Sequence, residues 1–420
     1  MKCRLLNPGN DPILPKRPLR VAWFTYFPIE WLPELPPELQ KLPRLHPATW
    51  QRVLWEEFRH DESLELHIII LRSHFPATIR FRRNNTTFHC IKTPGGTRAT
   101  TLFWTDTFYV SRELKQIQPD LVHAWGSEFG GAAIASRLNW PALVTMQGIL
   151  TWYGSVFPLN LHTKLARLAE PPSLRKAHVV TCESSFGMNY LAERYPHLKL
   201  LQVEHAPHPS FSQVVRRPQN DPLRIVCVGT FLFWKGADVV IQALARLETN
   251  KPFELFWIGA KDAALEADLR SKTPEALWKR ITFKHNLSPA EIAAELSQAT
   301  LFLHAARADN SPNSVKEAVV AGVPVIATNT GGIPDYVIPG KNGFLFASGN
   351  VDDCASKLQD AIAHPTFNKG LVDPATLSEM RAYLSASTMA TKFKEAYSAV
   401  LKDDPRSTHS LRASNANSTT

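Results

Sequence analysis

Two carboxylates stand eight residues apart in the stretch TLFLHAARADNSPNSVKEAVVAGVPVIATNTGGIPDYVIPGKNGFLF, residues 300–346: Asp309 and Glu317. A buried strand is predicted at Leu301–Leu303, and the polar step Ala308-Asp309-Asn310 reads as the loop at its carboxyl end. Ser311 is placed to cap a helix whose first position is Pro312. That helix should run to about Ala321, where Gly322 stops it and Pro324 lies just beyond. Its leading amides, at Asn313 and Ser314, would then form an anion site together with the positive end of the helix dipole. Asp309 precedes this site and Glu317 lies about a turn and a half inside it. One carboxylate could accept sugar hydroxyls and the other ribose hydroxyls. Taken alone, the pair fits equally well a loop acid near a dipole and a solvated helix acid.

A second element bears on the choice. Leu223–Val228 (LRIVCV) is an apolar strand ending in Gly229, followed by Thr230 and then by Lys235-Gly236, which open the helical stretch ADVVIQALARLE. In open parallel sheets, ligands bind outside the carboxyl ends of the strands, where a lysine at a helix start can clamp a diphosphate as a point charge. The segment is not a P-loop, and the chain has no G-x-G-x-x-G fingerprint. By itself, a lysine opening a surface helix is otherwise a solvated residue.

Taken together, VGTFLFWKGADVVIQAL, DNSPNSVKEAVVAGVPVIATNTGGIPDYV and KNGFLF resemble the C-terminal half of the retaining GT-B glycosyltransferases of family 4, in which V-G-R…K-G and E-x7-E segments bind the nucleotide sugar. Upstream, PDLVHAWGSEFGGAAIA, PALVTMQGIL, VVTCESSFGMNYLAERY and VEHAPHPSF fall in the order of that family's acceptor-domain landmarks, so the resemblance extends over roughly residues 19–401. It implies an α/β GT-B fold of two Rossmann-like domains whose parallel sheets face each other across a cleft. It also implies transfer of a sugar from a nucleoside diphosphate to a saccharide or lipid-linked acceptor, with the nucleotide sugar as substrate, no cofactor and no metal.

On this resemblance Lys235 stabilises the leaving group, Asp309 holds the donor sugar and Glu317 the ribose. Donor contacts would come from Gly229, Thr230, Gly236, Arg307, Asn313, Ser314 and the Gly331-Gly332 turn. His123, Glu128 and Gln147 would face the acceptor side, and the loop at Lys284-His285-Asn286 would supply base contacts. The chain departs from the family at three places. Thr230 replaces an arginine on the diphosphate, a loss that Arg307 could make good. The first acid is aspartate, and Gln147 stands where the acceptor domain commonly has histidine, so that position can hydrogen-bond but cannot titrate near neutrality. Two alternatives follow from these departures and the shared fold: a sugar-nucleotide epimerase, and a non-catalytic nucleotide-sugar-binding module.

The elements that must position these residues alternate. LRVAWFTYF, LELHIIIL, DLVHAW, ALVTM, HVVTC and LKLLQVE read as strands of a first half, and LRIVCV, FELFWIG, ITFKH, TLFLHAA, VPVIAT and GFLF as strands of a second, with helical stretches between. The expected organisation is an N-terminal extension over 1–18, an acceptor-side domain over 19–205, a proline-rich linker over 206–221 and a nucleotide-sugar domain over 222–373. A helix over 374–402 crosses back to the first domain, and a disordered tail occupies 403–420. Pro28 to Pro47 holds six prolines, too constrained for a normal helix. This stretch either hangs over the cleft or packs irregularly. Arg72, Arg80, Arg82, Arg83, Lys92 and Arg98 lie in a stretch without an acid, suggesting either a solvated basic face or peripheral contact with an anionic membrane surface.

Glu204, His205 and His208 invite a metal reading, but they lack helical spacing to align them, and no D-x-D occurs. Five scattered cysteines without C-x-x-C, no apolar run approaching 18 residues and no apolar signal core give the expectation of a cytoplasmic protein, peripheral at most at the inner membrane face. The net charge of +9 comes with no RNA or DNA motif, so nucleic acid is not an expected partner.

Overall fold

Runs of branched and aromatic residues dictate the strands. The computed structural model describes residues 17–43 and 48–403. Residues 1–16, 44–47 and 404–420, which take in nearly all of the expected N-terminal extension and polar tail, lie outside them. The first sheet contains β1 (Leu19–Phe24), β2 (Leu64–Arg72), β3 (Ile79–Arg83), β4 (Thr86–Lys92), β5 (Leu121–Trp125), β6 (Ala142–Met146), β7 (Val179–Cys182) and β8 (Lys199–Gln202). The second contains β9 (Leu223–Val228), β10 (Phe253–Ile258), β11 (Ile281–Lys284), β12 (Leu301–His304), β13 (Val325–Thr328) and β14 (Gly343–Phe346). Helices of the first half are α1 (Thr49–Phe58), α2 (Trp104–Ile117), α3 (Gly131–Ala135), α4 (Leu150–Val156), α5 (Leu161–Leu174) and α6 (Ser185–Arg194). They are followed by α7 (Pro209–Ser212), α8 (Ala237–Ala245), α9 (Ala263–Lys272), α10 (Glu275–Trp278), α11 (Pro289–Gln298), α12 (Asn313–Ala321), α13 (Val351–Ala363), α14 (Pro374–Tyr383) and α15 (Ala386–Lys402).

The second sheet runs β11-β10-β9-β12-β13-β14, all parallel. Its strand order reverses between β9 and β12, which opens a crevice at the carboxyl ends of those two strands, the place where ligands bind in such sheets. The first sheet, β3-β4-β2-β1-β5-β6-β7-β8, reverses in the same way between β1 and β5. Only β3 runs antiparallel, paired with β4 through a turn at Asn84-Asn85, where Asn84 has φ 52°. This hairpin escaped the sequence reading, although IRFRR alternates and an asparagine pair follows it, which together are a hairpin signal.

The connecting segments are packed. Phe211 of α7 is buried in the core of the second domain, and Arg216 donates to the carbonyls of Ala299 and Gly370 at 2.5 and 2.7 Å. At the other end, α15 inserts Met389, Phe393 and Tyr397 into the core of the first domain beside Trp23 and Trp125. The described part of the proline-rich stretch also joins that core, burying Ile29, Leu32 and Leu39 where a loop over the cleft was one expectation. Proline rigidity here serves packing.

The basic stretch does not form a single cationic face. Arg72 pairs with Glu30 at 2.7 Å, both side chains buried, and Arg80 pairs with Glu113 at 2.6 Å. Arg83 pairs with Glu34 at 3.2 Å and Arg98 with Asp106 at 2.9 Å. The acids that neutralise these four arginines come from outside the stretch, while the exposed Arg82 and Lys92 donate only to the carbonyls of Asn84 and Pro76. Among the described residues no helix is long and apolar enough to cross a membrane. Cys90, Cys182, Cys227 and Cys354 are buried free thiols.

Candidate active site

The crevice between β9 and β12 brings Lys235 and Asp309 together. After β9 the chain turns at Gly229, whose carbonyl accepts from Trp257 Nε1 at 2.8 Å, and buries Phe231. A single 3-10 turn, Phe233–Lys235, then delivers the lysine. Gly236 follows with φ +73°, and a Cβ there would lie 1.9 Å from the Ala305 carbonyl oxygen. Only glycine lets this turn rest against the loop that leaves β12. Lys235 Nζ donates to Asp309 Oδ2 at 2.6 Å and lies 4.4 Å from the centroid of the Trp234 ring. His304, at the end of β12, lies beneath them with Nε2 4.0 Å from Asp309 Oδ2. Burial, followed by the charge of Lys235, pushes this histidine down to about 4, so it is neutral and the contact is not an ion pair. Its Nε2 is buried without a hydrogen-bond partner.

Helix α12 starts one residue later than the sequence predicted. Pro312 occupies the cap position and makes no side-chain bond, while the Ser311 hydroxyl meets the Tyr336 hydroxyl at 2.8 Å. Tertiary contact thus claims the oxygen that local rules assigned to capping. Asn313 and Ser314 lead the helix half-buried, and Asn313 Oδ1 is buried without a partner. Glu317 is buried and its carboxyl has no hydrogen-bond partner among the described residues. Burial raises its pKa to about 7, against the opposing charge of Lys316.

The neighbouring residues of this acidic segment bind the other domain. Asn310, fully buried, accepts from Ser184 Oγ at 2.7 Å and donates through Nδ2 to the Gln147 carbonyl at 2.6 Å. Its amide donates to the Tyr153 hydroxyl at 3.2 Å. Lys316 Nζ donates to Glu183 Oε2 at 2.8 Å, and Glu183 Oε1 is 3.1 Å from His205 Nδ1. Although burial opposes it, the charges of His205 and Lys316 hold the Glu183 carboxyl down at about 2. Ser185 N donates to Asp335 Oδ2 at 2.7 Å, and Phe157 stacks on Trp234 with ring centroids 5.7 Å apart. His304, Asn310, Lys316 and Glu183 were not singled out from sequence. Apart from their nearness to Asp309 and Glu317, nothing local marks the first three. Glu183 follows a predicted strand end in VVTCESS, the only signal that could have found it.

Several expectations are corrected. Gly331 and Gly332 have no room for a side chain: added Cβ atoms would lie 1.8 Å from the Asp309 carbonyl oxygen and 2.2 Å from that of Asn310. The glycines allow the chain's own loops to touch. Arg307 gives Asp238 a bidentate bridge at 2.8 and 2.7 Å and stacks on Phe233, so its charge is already matched and does not replace the arginine missing at Thr230. His123 is a fully buried core residue, with Nδ1 2.9 Å from the Tyr397 hydroxyl and Nε2 2.6 Å from Thr145 Oγ1. It has no nitrogen left for an acceptor. Lys284, expected near the base, pairs with Glu295 at 2.6 Å. Glu204 pairs with Lys392, His205 with Glu183, and His208 caps α7, so these three do not converge as metal ligands.

Glu128 and Gln147 do come together, flanking Gly126. A Cβ on that glycine would lie 2.4 Å from Glu128 Oε2 and 3.1 Å from Gln147 Oε1. Glu128 Oε1 accepts from Gly148 N at 2.5 Å, while Glu128 Oε2 and Gln147 Nε2 are buried without partners. Burial raises the Glu128 carboxyl to about 7, with the charge of Glu170 adding to the shift.

Two sheets with mirrored switch points, a lysine and an acid at the crevice of one and a polar pair at the crevice of the other define the GT-B class of architecture. The sequence profile described as Glycosyl transferases group 1 matches residues 211–376, and that described as Glycosyltransferase Family 4 matches residues 50–200. The chain belongs to the group 1 glycosyltransferases and has the GT-B fold. It is 25% identical over 269 residues to a GDP-mannose-dependent alpha-mannosyltransferase of Mycobacterium tuberculosis, covering 61% of this chain and 67% of that protein. It is 31% identical over 123 residues to sulfoquinovosyl transferase SQD2 of Arabidopsis thaliana, covering 28% of this chain and 24% of that protein. These curated relatives are therefore spanned only in part. Among solved structures, sucrose-phosphate synthase of Thermosynechococcus elongatus superposes with a TM-score of 0.73 at 16% identity, over 92% of this chain and 100% of that one. Anabaena HepE in complex with UDP and glucose gives 0.65 at 14% identity, over 91% and 100%.

Proposed function

We propose that this protein transfers a sugar from a nucleoside diphosphate to a hydroxyl of a saccharide or lipid-linked acceptor, with retention of anomeric configuration. The observation that carries this reading is the Lys235–Asp309 pair, 2.6 Å apart at the switch point of the second sheet, beside the start of α12. The relatives support the donor class: one is named for GDP-mannose, and HepE was solved with UDP-glucose.

In this mechanism the donor's diphosphate lies against Lys235 Nζ and the amides of Asn313 and Ser314. An ammonium has three N–H donors, so Lys235 keeps Asp309 while it binds phosphate. Asp309 accepts from hydroxyls of the donor sugar, and the unpartnered carboxyl of Glu317 accepts from the ribose. As the bond from C1 to the diphosphate oxygen breaks, the developing charge falls on a lysine and a helix terminus fixed in advance. The acceptor oxygen forms its bond to C1 on the same face, and its proton leaves with the departing phosphate. Charge stabilisation from Lys235 and α12 fits a reaction that proceeds without a divalent ion.

The test is a thermal-shift panel of UDP, GDP, ADP and their sugars with EDTA present, followed by a transfer assay with the stabilising donor. Lys235→Ala should abolish the nucleotide-dependent shift and lower turnover by about two orders of magnitude or more. Turnover within a few-fold of wild type would remove the lysine from the mechanism.

A further inference from the structure

Seven of the eleven large apolar side chains exposed among the described residues fall between Leu102 and Leu168, all in the first domain. One of them, Phe129, adjoins the polar pair at the crevice of the first sheet. Phe129, next to Glu128, stacks on Tyr26 with centroids 4.8 Å apart, and its ring is 6.2 Å from that of His162. His162 Nε2 lies 3.1 Å from the Glu128 carbonyl oxygen. Beyond His162, a cavity of about 270 Å³ opens between the Gly96–Thr100 loop and Leu161 and Leu165 at the start of α5. The one charged side chain lining it, Arg98, is held by Asp106 at 2.9 Å. From Glu128 the contacts run through Phe129 and His162, which itself lines this largely apolar cavity.

We propose that this surface carries the hydrocarbon part of the acceptor, so that the acceptor class is an amphiphile. Its sugar hydroxyls lie toward Glu128 and Gln147, and its apolar chain runs over Phe129 and into the cavity at Leu161 and Leu165. This rests on the glycosyl-transfer reading above. The two unpartnered atoms have opposite hydrogen-bonding sense, Glu128 Oε2 accepting and Gln147 Nε2 donating, which suits two adjacent hydroxyls. A free sugar would satisfy those two groups and leave the apolar surface wet, whereas an alkyl chain would remove it from water.

The experiment measures equilibrium binding of methyl and n-octyl glycosides of glucose, mannose and galactose by calorimetry, on the full chain with nucleotide present and below micelle-forming concentrations. At least one octyl glycoside should bind tenfold or more tightly than its methyl counterpart. In Leu161→Ser that ratio should fall below threefold; Leu161 is 70% exposed, so folding is not at risk. Leu165→Asn should act in the same direction. Leu371→Ser, at an exposed leucine of the second domain, should leave the ratio intact; a fall there as large as in Leu161→Ser would show non-specific detergent binding and overturn the proposal. Equal affinity of octyl and methyl forms, absence of octyl binding at millimolar concentration, or an unchanged ratio in Leu161→Ser would each overturn the proposal. Because binding is read without turnover, failure of glycosyl transfer would show separately, in the donor assay on Lys235→Ala.

Discussion

Replacing Glu317 by glutamine should stabilise the protein while weakening its hold on nucleotide. The wild-type carboxyl is buried with no hydrogen-bond partner, and its pKa is raised from 4.5 to about 7. An acid with a raised folded-state pKa holds its proton in the folded chain after the unfolded chain has released it. Stability from this group is therefore fully present below pH 4.5 and is lost as pH rises through 7. The gap corresponds to about 3 kcal/mol. Glutamine keeps the shape and removes the charge, so the advantage of Glu317→Gln over wild type should be smallest at acid pH, grow through this window and level off above it. At about 2–4 °C per kcal/mol for a domain of 150–250 residues, the difference in melting temperature should widen by roughly 5–10 °C between pH 5 and pH 8.5. Thermal unfolding of both proteins across that range is the assay. If Glu317 binds ribose as proposed, the variant should also bind its nucleotide about tenfold more weakly, because a charged acceptor has become a neutral one. A melting difference that stays flat between pH 5 and 8.5 would refute the claim that Glu317 is an unpaired buried carboxyl.

Glu183→Gln leaves Lys316 buried without its carboxylate and should cost about 3–5 kcal/mol in denaturant unfolding; a loss below about 1 kcal/mol would show that the pair is not buried as described. In wild type the contribution of Glu183, whose pKa is lowered from 4.5 to about 2, is present above pH 4.5 and is lost as pH falls toward 2, which acid titration of stability should register. Gly236→Ala places a Cβ 1.9 Å from the Ala305 carbonyl oxygen at φ +73° and should destabilise by about 2 kcal/mol or more, measured by chemical denaturation. Wild-type stability in that variant would mean the turn is not packed against Ala305. Thr230→Arg adds a second cation where the family commonly has one. It should tighten nucleoside-diphosphate binding roughly fivefold by calorimetry, and unchanged affinity would place position 230 away from the diphosphate.

Much of the fold could be read locally. LRIVCV, TLFLHAA and VPVIAT are buried parallel strands because a strand covered on both faces needs apolar residues throughout, and that pattern survives without knowledge of neighbours. Gly322 ends α12 for an equally local reason, since it adopts φ +77°. The hairpin at Asn84-Asn85 carries a local signal of the same kind, the alternation of IRFRR, although its polar positions are all arginine.

What the sequence by itself determined was the alternation of strands and helices, the class of fold and the segments that border the crevice. The alternation and the parallel α/β class follow from backbone dihedral preference and side-chain periodicity over a few residues, whereas the crevice segments were marked by their resemblance to the family's motifs. Only the tertiary structure decided which charges meet. Lys235 and Asp309 are 74 residues apart in the chain and 2.6 Å apart in space, and Lys316 reaches Glu183 across 133 residues. The same folding placed His123 in the core, matched Arg307 with Asp238 and drew four arginines of the basic stretch into separate ion pairs. The physical reason is that hydrogen-bond partners, burial and hence pKa depend on groups brought close from elsewhere in the chain. A carboxyl such as Glu317 or Glu128 is ordinary in sequence and becomes a group poised near pH 7 only when the surrounding helices and loops bury it, a cost that the charge of Lys316 at Glu317 and the amide of Gly148 at Glu128 offset only in part.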